Sequence, residues 1–133
     1  LMTVPFALRI GPCSPERGLV ALLRSASQAP LSTITQALKK GAQLPICDLF
    51  GRDAAENEAR VLDLLEELAA RRTKFEIYVE GCLESLEVFE NLLTRHHQIA
   101  YDIEMETELE LGEPSEEAIR WSTGNFEYPK RER

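Results

Sequence analysis

Three features of the sequence predict an α+β fold. Residues 44–81 read as strand, helix, strand; two amphipathic helical stretches precede them; and a two-residue alternation sets in near residue 99. The expected order is a β-α-α-β-α-β core followed by an α-β-α extension, with a single sheet covered by helices. At 133 residues the chain is expected to form one domain. Within it, residues 4–81 are the core unit, 82–121 an acidic extension and 122–133 a tail.

The elements follow in chain order. Residues 4–10 read as a first strand, with Phe6, Leu8 and Ile10 on one side. Ser14-Pro15-Glu16 predicts a helix start: Ser as N-cap, Pro at the first helical position and an acid in the first turn. Leu19, Val20, Leu22, Leu23 and Ala26 then recur at helical spacing until residues 27–30 break the pattern. Ser32 is the expected cap of a second helix, with Ile34, Ala37 and Leu38 inward. Lys39 and Lys40 stand at its end, and Gly41 is the expected stop.

Residues 44–50, apolar except at Asp48, predict a mostly buried strand ending at Gly51. Asp53 stands three residues before Glu56, an acidic variant of the capping box, so a long helix is expected over residues 54–72. Its inward stripe is Val61, Leu62, Leu65, Leu68 and Ala69. Phe75, Ile77 and Val79 then alternate with Glu76, Tyr78 and Glu80 as a strand with one wetter face.

A helix is expected over residues 83–95, with Leu86, Phe89, Leu92 and Leu93 inward. From residue 99 to 111 the odd positions Ile99, Tyr101, Ile103, Met105, Leu109 and Leu111 are apolar or aromatic. The even positions Asp102, Glu104, Glu106, Glu108 and Glu110 are acidic. That alternation predicts a strand about 43 Å long at ~3.3 Å per residue. Most strands stop at about ten residues, so this one is expected to bend, to project, or to pair with a second copy. Gly112 and Pro114 end it, and Ser115 is the expected cap of a short helix through Trp121.

Charge is unevenly distributed. Through Thr73 there are nine Lys or Arg against eight Asp or Glu; from Lys74 onward there are six against fifteen, within a net charge of −8. An acidic second half opposes nucleic-acid binding, which needs cations against phosphate. No apolar run approaches the roughly 20 residues of a membrane span, and no signal-peptide pattern opens the chain. A cytoplasmic location is therefore expected. Cys13, Cys47 and Cys82 are widely separated without a C-x-x-C pair. They read as reduced, small core residues rather than metal ligands or a disulfide.

The pattern Ala37-Leu38-Lys39-Lys40-Gly41-Ala42, then a strand entering a helix with Glu56 and Glu58-Ala59, resembles the C-terminal domain of the bacterial ribosomal stalk protein. Leu65-Glu66-Glu67-Leu68-Ala69-Ala70 and Phe75-Glu76-Ile77 complete that likeness. The adaptor of the Clp protease shares the same superfold. The resemblance covers residues 4–80 and implies a β-α-α-β-α-β fold. It carries over no functional residues: the stalk's glycine-rich turn between the first two helices is here residues 27–32, without glycine, and the first helix has only Arg17 and Arg24 as cations.

No catalytic, cofactor or phosphate-loop motif is present in the sequence, so a non-enzymatic, cofactor-free protein is expected. His96 and His97 point about 100° apart on a helix and cannot easily share one metal ion. The acidic row Asp102, Glu104, Glu106, Glu108 and Glu110 has a plain reading, an edge strand shielded by charge. Its functional reading is a docking stripe for a partner with a basic surface. Trp121 is the candidate aromatic of that site, or with Phe126 and Tyr128 an anchor of the tail. The leading expectation is an interaction or adaptor module. The alternatives are an inhibitor or immunity-type protein whose carboxylates imitate phosphates, a small enzyme using Cys47 or His97, and a homodimer paired through residues 99–111.

Overall fold

The computed structural model describes residues 3–130. Its elements are β1 (Val4–Arg9), α1 (Arg17–Ser27), α2 (Leu31–Lys40), β2 (Gln43–Leu49), α3 (Ala54–Ala70), β3 (Glu76–Val79), β4 (Cys82–Glu84), α4 (Leu86–Glu110) and α5 (Glu116–Ser122). The α+β class and the β-α-α-β-α-β order of the first part are as the sequence predicts. Chain contacts divide it into two compact units, residues 1–86 and 87–133.

In the first unit all four strands form one antiparallel sheet in the order β2-β1-β3-β4. Phe6 and Leu8 of β1, Ile77 and Val79 of β3, and Leu44, Ile46 and Leu49 of β2 are buried. Helices α1, α2 and α3 pack on one another or on β2. They contribute Leu19, Val20, Leu23, Ala26, Ile34, Ala37, Leu38, Val61, Leu64, Leu65 and Leu68 to the core. Fully burying one such aliphatic contributes about 1.5–3 kcal/mol, which is why these helical stripes set the fold.

Strand β2 differs from its expected burial. It lies at a sheet edge, and Pro45 and Asp48 are exposed. The register shifts opposite Phe6 and Ala7, so that Phe6 pairs with Cys47 and Ala7 with Pro45. The extra residue, Ile46, lets Leu44, Ile46 and Leu49 all face inward despite their uneven spacing. A proline inside the run fits an edge strand with a bulge rather than a central strand.

The glycine at the end of α2 has a second role. Gly41 adopts φ 67° as the left-handed C-cap, and its N–H donates to the Ala37 carbonyl. Pro12 also packs directly against it: a Cβ at position 41 would stand 2.6 Å from Pro12 Cδ. Beside this contact the Cys13 N–H donates to the Leu38 carbonyl over 2.9 Å, so the 11–13 loop is fastened to the end of α2. Arg9 donates to the Gly41 carbonyl through Nε and to Glu76 through Nη1 at 2.6 Å. Arg9 and Glu76 face each other across β1 and β3, so this partly exposed pair reinforces their register.

Several boundaries move. Helix α1 starts at Arg17 behind Glu16, not at the expected Ser14 cap, and α2 starts at Leu31 behind Pro30, which places Ser32 inside it. Asp53 occupies the N-cap position of α3 but makes no side-chain cap bond. In α3, Leu64 replaces Ala69 in the buried set and Leu62 is half-buried. Strand β4 is additional to the expected elements. It is joined to β3 by Glu80 and Gly81, both at positive φ (51° and 79°), with Val79 paired to Cys82. That is the two-residue hairpin whose twist suits flanking strands.

The largest correction concerns residues 99–111. They belong to helix α4, not to a strand, so the expected α-β-α extension is a pair of helices. A homodimer formed by strand pairing there loses its basis, because a helix satisfies its backbone internally and presents no edge. The cysteines are also corrected: Cys13 and Cys82 are exposed and Cys47 is half-buried, so none is a fully buried core residue. No helix among the described residues is long and apolar enough to cross a membrane.

Replacing Gly41 by Ala imposes a left-handed alanine and a Cβ against Pro12. Urea unfolding should register a loss of about 2 kcal/mol, whereas Gly81→Ala, with open space around its Cβ, should show a smaller one.

Candidate functional site

Residues 87–133 carry twelve Asp or Glu against five Lys or Arg. Most of these acids lie on α4 and α5. Helix α4 is rich in Glu and Leu, both good helix formers, while Glu is depleted from strands. It closes at Gly112, which has φ 87° and whose N–H donates to the Leu109 carbonyl. Ser115 then caps α5 as expected, its hydroxyl accepting from the Ala118 N–H at 3.1 Å.

Tyr101 and Met105, one turn apart on α4, are buried with Ala118 of α5; Leu109, Trp121 and Phe126 pack around them. Aromatic contacts extend this cluster into the tail. Tyr101 stacks with Phe126 at 6.1 Å between ring centroids, and Tyr128 meets both rings edge-on at 5.7 and 5.1 Å. The tail over 123–130 is irregular, as expected, and is anchored by its aromatics; residues 131–133 lie outside the described residues.

Polar bonds close the same cluster. Asp102 Oδ1 accepts from Trp121 Nε1 at 2.9 Å and from the Tyr128 hydroxyl at 2.8 Å. The Tyr101 hydroxyl donates to Glu117 Oε1 at 2.8 Å. Burial first, then the bond to Glu117, push the Tyr101 phenol up to about 12. The bond to Asp102, followed by burial, raises Tyr128.

The six residues singled out in the sequence therefore divide. Asp102 and Trp121 are brought together, as a structural tie rather than as free docking groups. Glu104 borders a small hollow of about 270 Å3 with His97, Tyr101, Tyr128 and Lys130. Glu106 and Glu110 are exposed, and Glu108 is half-buried. The five acids do not form one ladder, because successive even positions on a helix step by about 200°. Asp102, Glu106 and Glu110 fall on one side, Glu104 and Glu108 on the other. Sequence reasoning missed the partnership of Tyr101 with Glu117 and of Tyr128 with Asp102. The signal available was the four-residue spacing of Tyr101, Met105 and Leu109.

The remaining candidates are placed as follows. The Cys47 thiol is raised mainly by burial, with Arg60 opposing and Asp48 adding to the shift; a nucleophilic cysteine needs the reverse. His97 is exposed, and its ring meets that of His96 edge-on at 6.3 Å. No group of three or more potential metal-ligating side chains occurs among the described residues. The first unit has an open cleft of about 550 Å3 that includes Arg9, Cys13, Lys74 and Phe75. A wider groove of about 900 Å3 lies along α1 and α2 at Arg17, Val20, Arg24 and Leu31.

The chain matches no known family model, and no curated protein or solved structure shows significant similarity to it. The class of protein defined here is thus a fold and a charge distribution: an α+β unit followed by an acidic helical unit.

Two consequences are measurable. Asp102→Ala removes the acceptor from Trp121, at a cost of about 1 kcal/mol or more, and should shift Trp121 emission; Asp102→Asn, which keeps Oδ1, should largely restore it. In alkali, the Tyr101 phenol is protonated in the folded unit above its unfolded value near 10. Its stabilising contribution is thus complete below about pH 10 and lost as pH rises through about 12. Phenolate absorbance should show that late step in the wild type and lose it in Tyr101→Phe.

Proposed function

We propose that this protein is a non-catalytic interaction module whose second, acidic unit docks a protein partner with a basic surface. The observation that carries the reading is the placement of the acids on α4. Asp102 and Glu106, Glu104 and Glu108, and Glu106 and Glu110 are like-charge pairs at i,i+4, each mildly destabilising to a helix. Glu108 and Glu110 stand in the last turn, which has no basic residue, at the negative end of the helix dipole. These penalties are a few tenths of a kcal/mol apiece. Burial of Met105 alone outweighs several of them at about 1.5–3 kcal/mol. Asp102 is tied to Trp121 and Tyr128, but at Glu104, Glu106, Glu108 and Glu110 the helix tolerates charges that do not serve its own stability, and local departures of this kind are expected where a surface serves binding.

A basic partner would relieve the repulsion on contact and be steered toward the unit over a Debye length of about 8–10 Å. An inhibitor or immunity-type protein acting on a basic toxin or nuclease is one form of this reading. A small enzyme using Cys47 has the raised thiol against it, and one using His97 would have to work in the shallow hollow beside Glu104.

The test is affinity capture with the wild type and with Glu104→Lys/Glu106→Lys/Glu108→Lys, quantified by mass spectrometry at 50 and 500 mM salt. Basic proteins captured at low salt should fall at least tenfold at high salt and in the triple variant. The same proteins recovered from the variant at the same level would refute the reading.

A further inference from the structure

Helix α4 has two apolar stripes on opposite sides. At about 100° per residue, Tyr101, Met105 and Leu109 cluster on one side, where they close on Ala118, Trp121 and Phe126. Leu92, Ile99 and Ile103 cluster about 160–200° from Tyr101. Ile99 is 46 % and Ile103 59 % exposed, and Leu92 is half-buried.

Single exposed aliphatics are ordinary, but the spacing here is not that of scattered residues. Leu92, His96, Ile99 and Ile103 follow one another at intervals of four, three and four. That is the a/d seam of a helix that packs against another helix. Continuing the same heptad puts Glu106 and Glu110 at the next two seam positions. The seam is therefore apolar at Leu92, Ile99 and Ile103, with the half-buried His96 between the first two, and acidic over the following turn.

This change of character along the seam selects the occupant. In a parallel pair of two copies, Glu106 and Glu110 would each face their own counterpart. In the antiparallel pair that sets Ile99 against Ile103, Leu92 would face Glu110. Either arrangement buries carboxylates badly, and each unit brings an excess of acids to the contact. A basic helix meets neither objection.

The geometry points to an amphipathic helix of a partner protein lying along α4. It is apolar opposite Leu92, Ile99 and Ile103 and carries Lys or Arg opposite Glu106 and Glu110. This inference rests on the acidic unit being a docking surface and specifies its partner. The apolar turns provide affinity, and the two glutamates exclude helices that lack cations at those positions, since an uncompensated carboxylate at a closed seam is costly.

The experiment uses the whole protein and fluorescein-labelled synthetic helices of about 24 residues, a length of about 36 Å. Each has Leu at the apolar seam positions and Lys, Glu or Leu at the last two, in both chain orientations. Binding is followed by anisotropy, with circular dichroism to check that each protein variant is folded. In one orientation the Lys helix should bind at least tenfold tighter than the Glu helix. Ile99→Ser/Ile103→Ser should weaken it at least tenfold, and Glu106→Gln/Glu110→Gln should abolish the preference for Lys over Leu.

Equal binding of Lys and Glu helices in both orientations would overturn the inference. So would a dimer of the protein alone that Ile103→Ser dissociates, because a second copy would then fill the seam. If Ile99→Ser/Ile103→Ser leaves capture of basic proteins intact while the triple Lys variant abolishes it, the seam is wrong and the acidic docking surface stands. If the triple Lys variant changes nothing, the docking surface itself is wrong.

Discussion

The side of α4 that carries Tyr101, Met105 and Leu109 is the constraint on which the second unit depends. These residues recur every four positions and share a buried face on the helix, whereas Ile99 and Ile103, which a strand would set beside them, fall on the opposite side. With that face buried, the tail aromatics have a platform, α5 has a surface to cap, and Asp102 comes beside Trp121 and Tyr128. The same rotation distributes the acids around the helix and leaves Ile99 and Ile103 in solvent. One helical phase thus sets the core, the charge distribution and the apolar seam.

Much of the first unit was legible because its signals are local and agree with one another. Gly41 after Lys39 and Lys40 marks a helix end under any tertiary arrangement, and Ser115 before two acids marks a start. Asp53 shows the limit of such signals: the residue stands at the N-cap position, but its φ of −110° and ψ of 33° come with no side-chain cap bond. Strand β2 was legible as a strand but not as an edge. A run such as Leu44-Pro45-Ile46-Cys47 reads as continuously apolar until the pairing partner and the bulge are known. Pro45 carried the missing information. Strand β4 was missed because its turn, Glu80-Gly81, lacks the Asn or Asp that usually marks this hairpin.

The segment over 99–111 failed for a different reason. Alternation at period two and a stripe at period four coincide whenever the apolar residues occupy odd positions, since every fourth residue is also every second. Composition and length break the tie. Four glutamates disfavour a strand, and thirteen residues exceed ordinary strand length. The burial of Tyr101 and Met105, with Ile99 and Ile103 exposed, is the tertiary outcome of that choice. The candidate site was accordingly legible as a set of residues but not as a surface.

Helix geometry also separates the fates of five acids that look equivalent in sequence. Asp102 is held by two donors and belongs to the fold. Glu104 borders the hollow at His97, and Glu108 is half-buried one turn further on. Glu106 and Glu110 continue the line of Ile99 and Ile103 into solvent. A change at Asp102 therefore acts on stability whatever the protein binds, while changes at Glu106 and Glu110 act on a surface with no part in the Tyr101 and Met105 cluster. A substitution series over the whole row would mix these effects; the helical phase tells which positions report on folding and which report on docking.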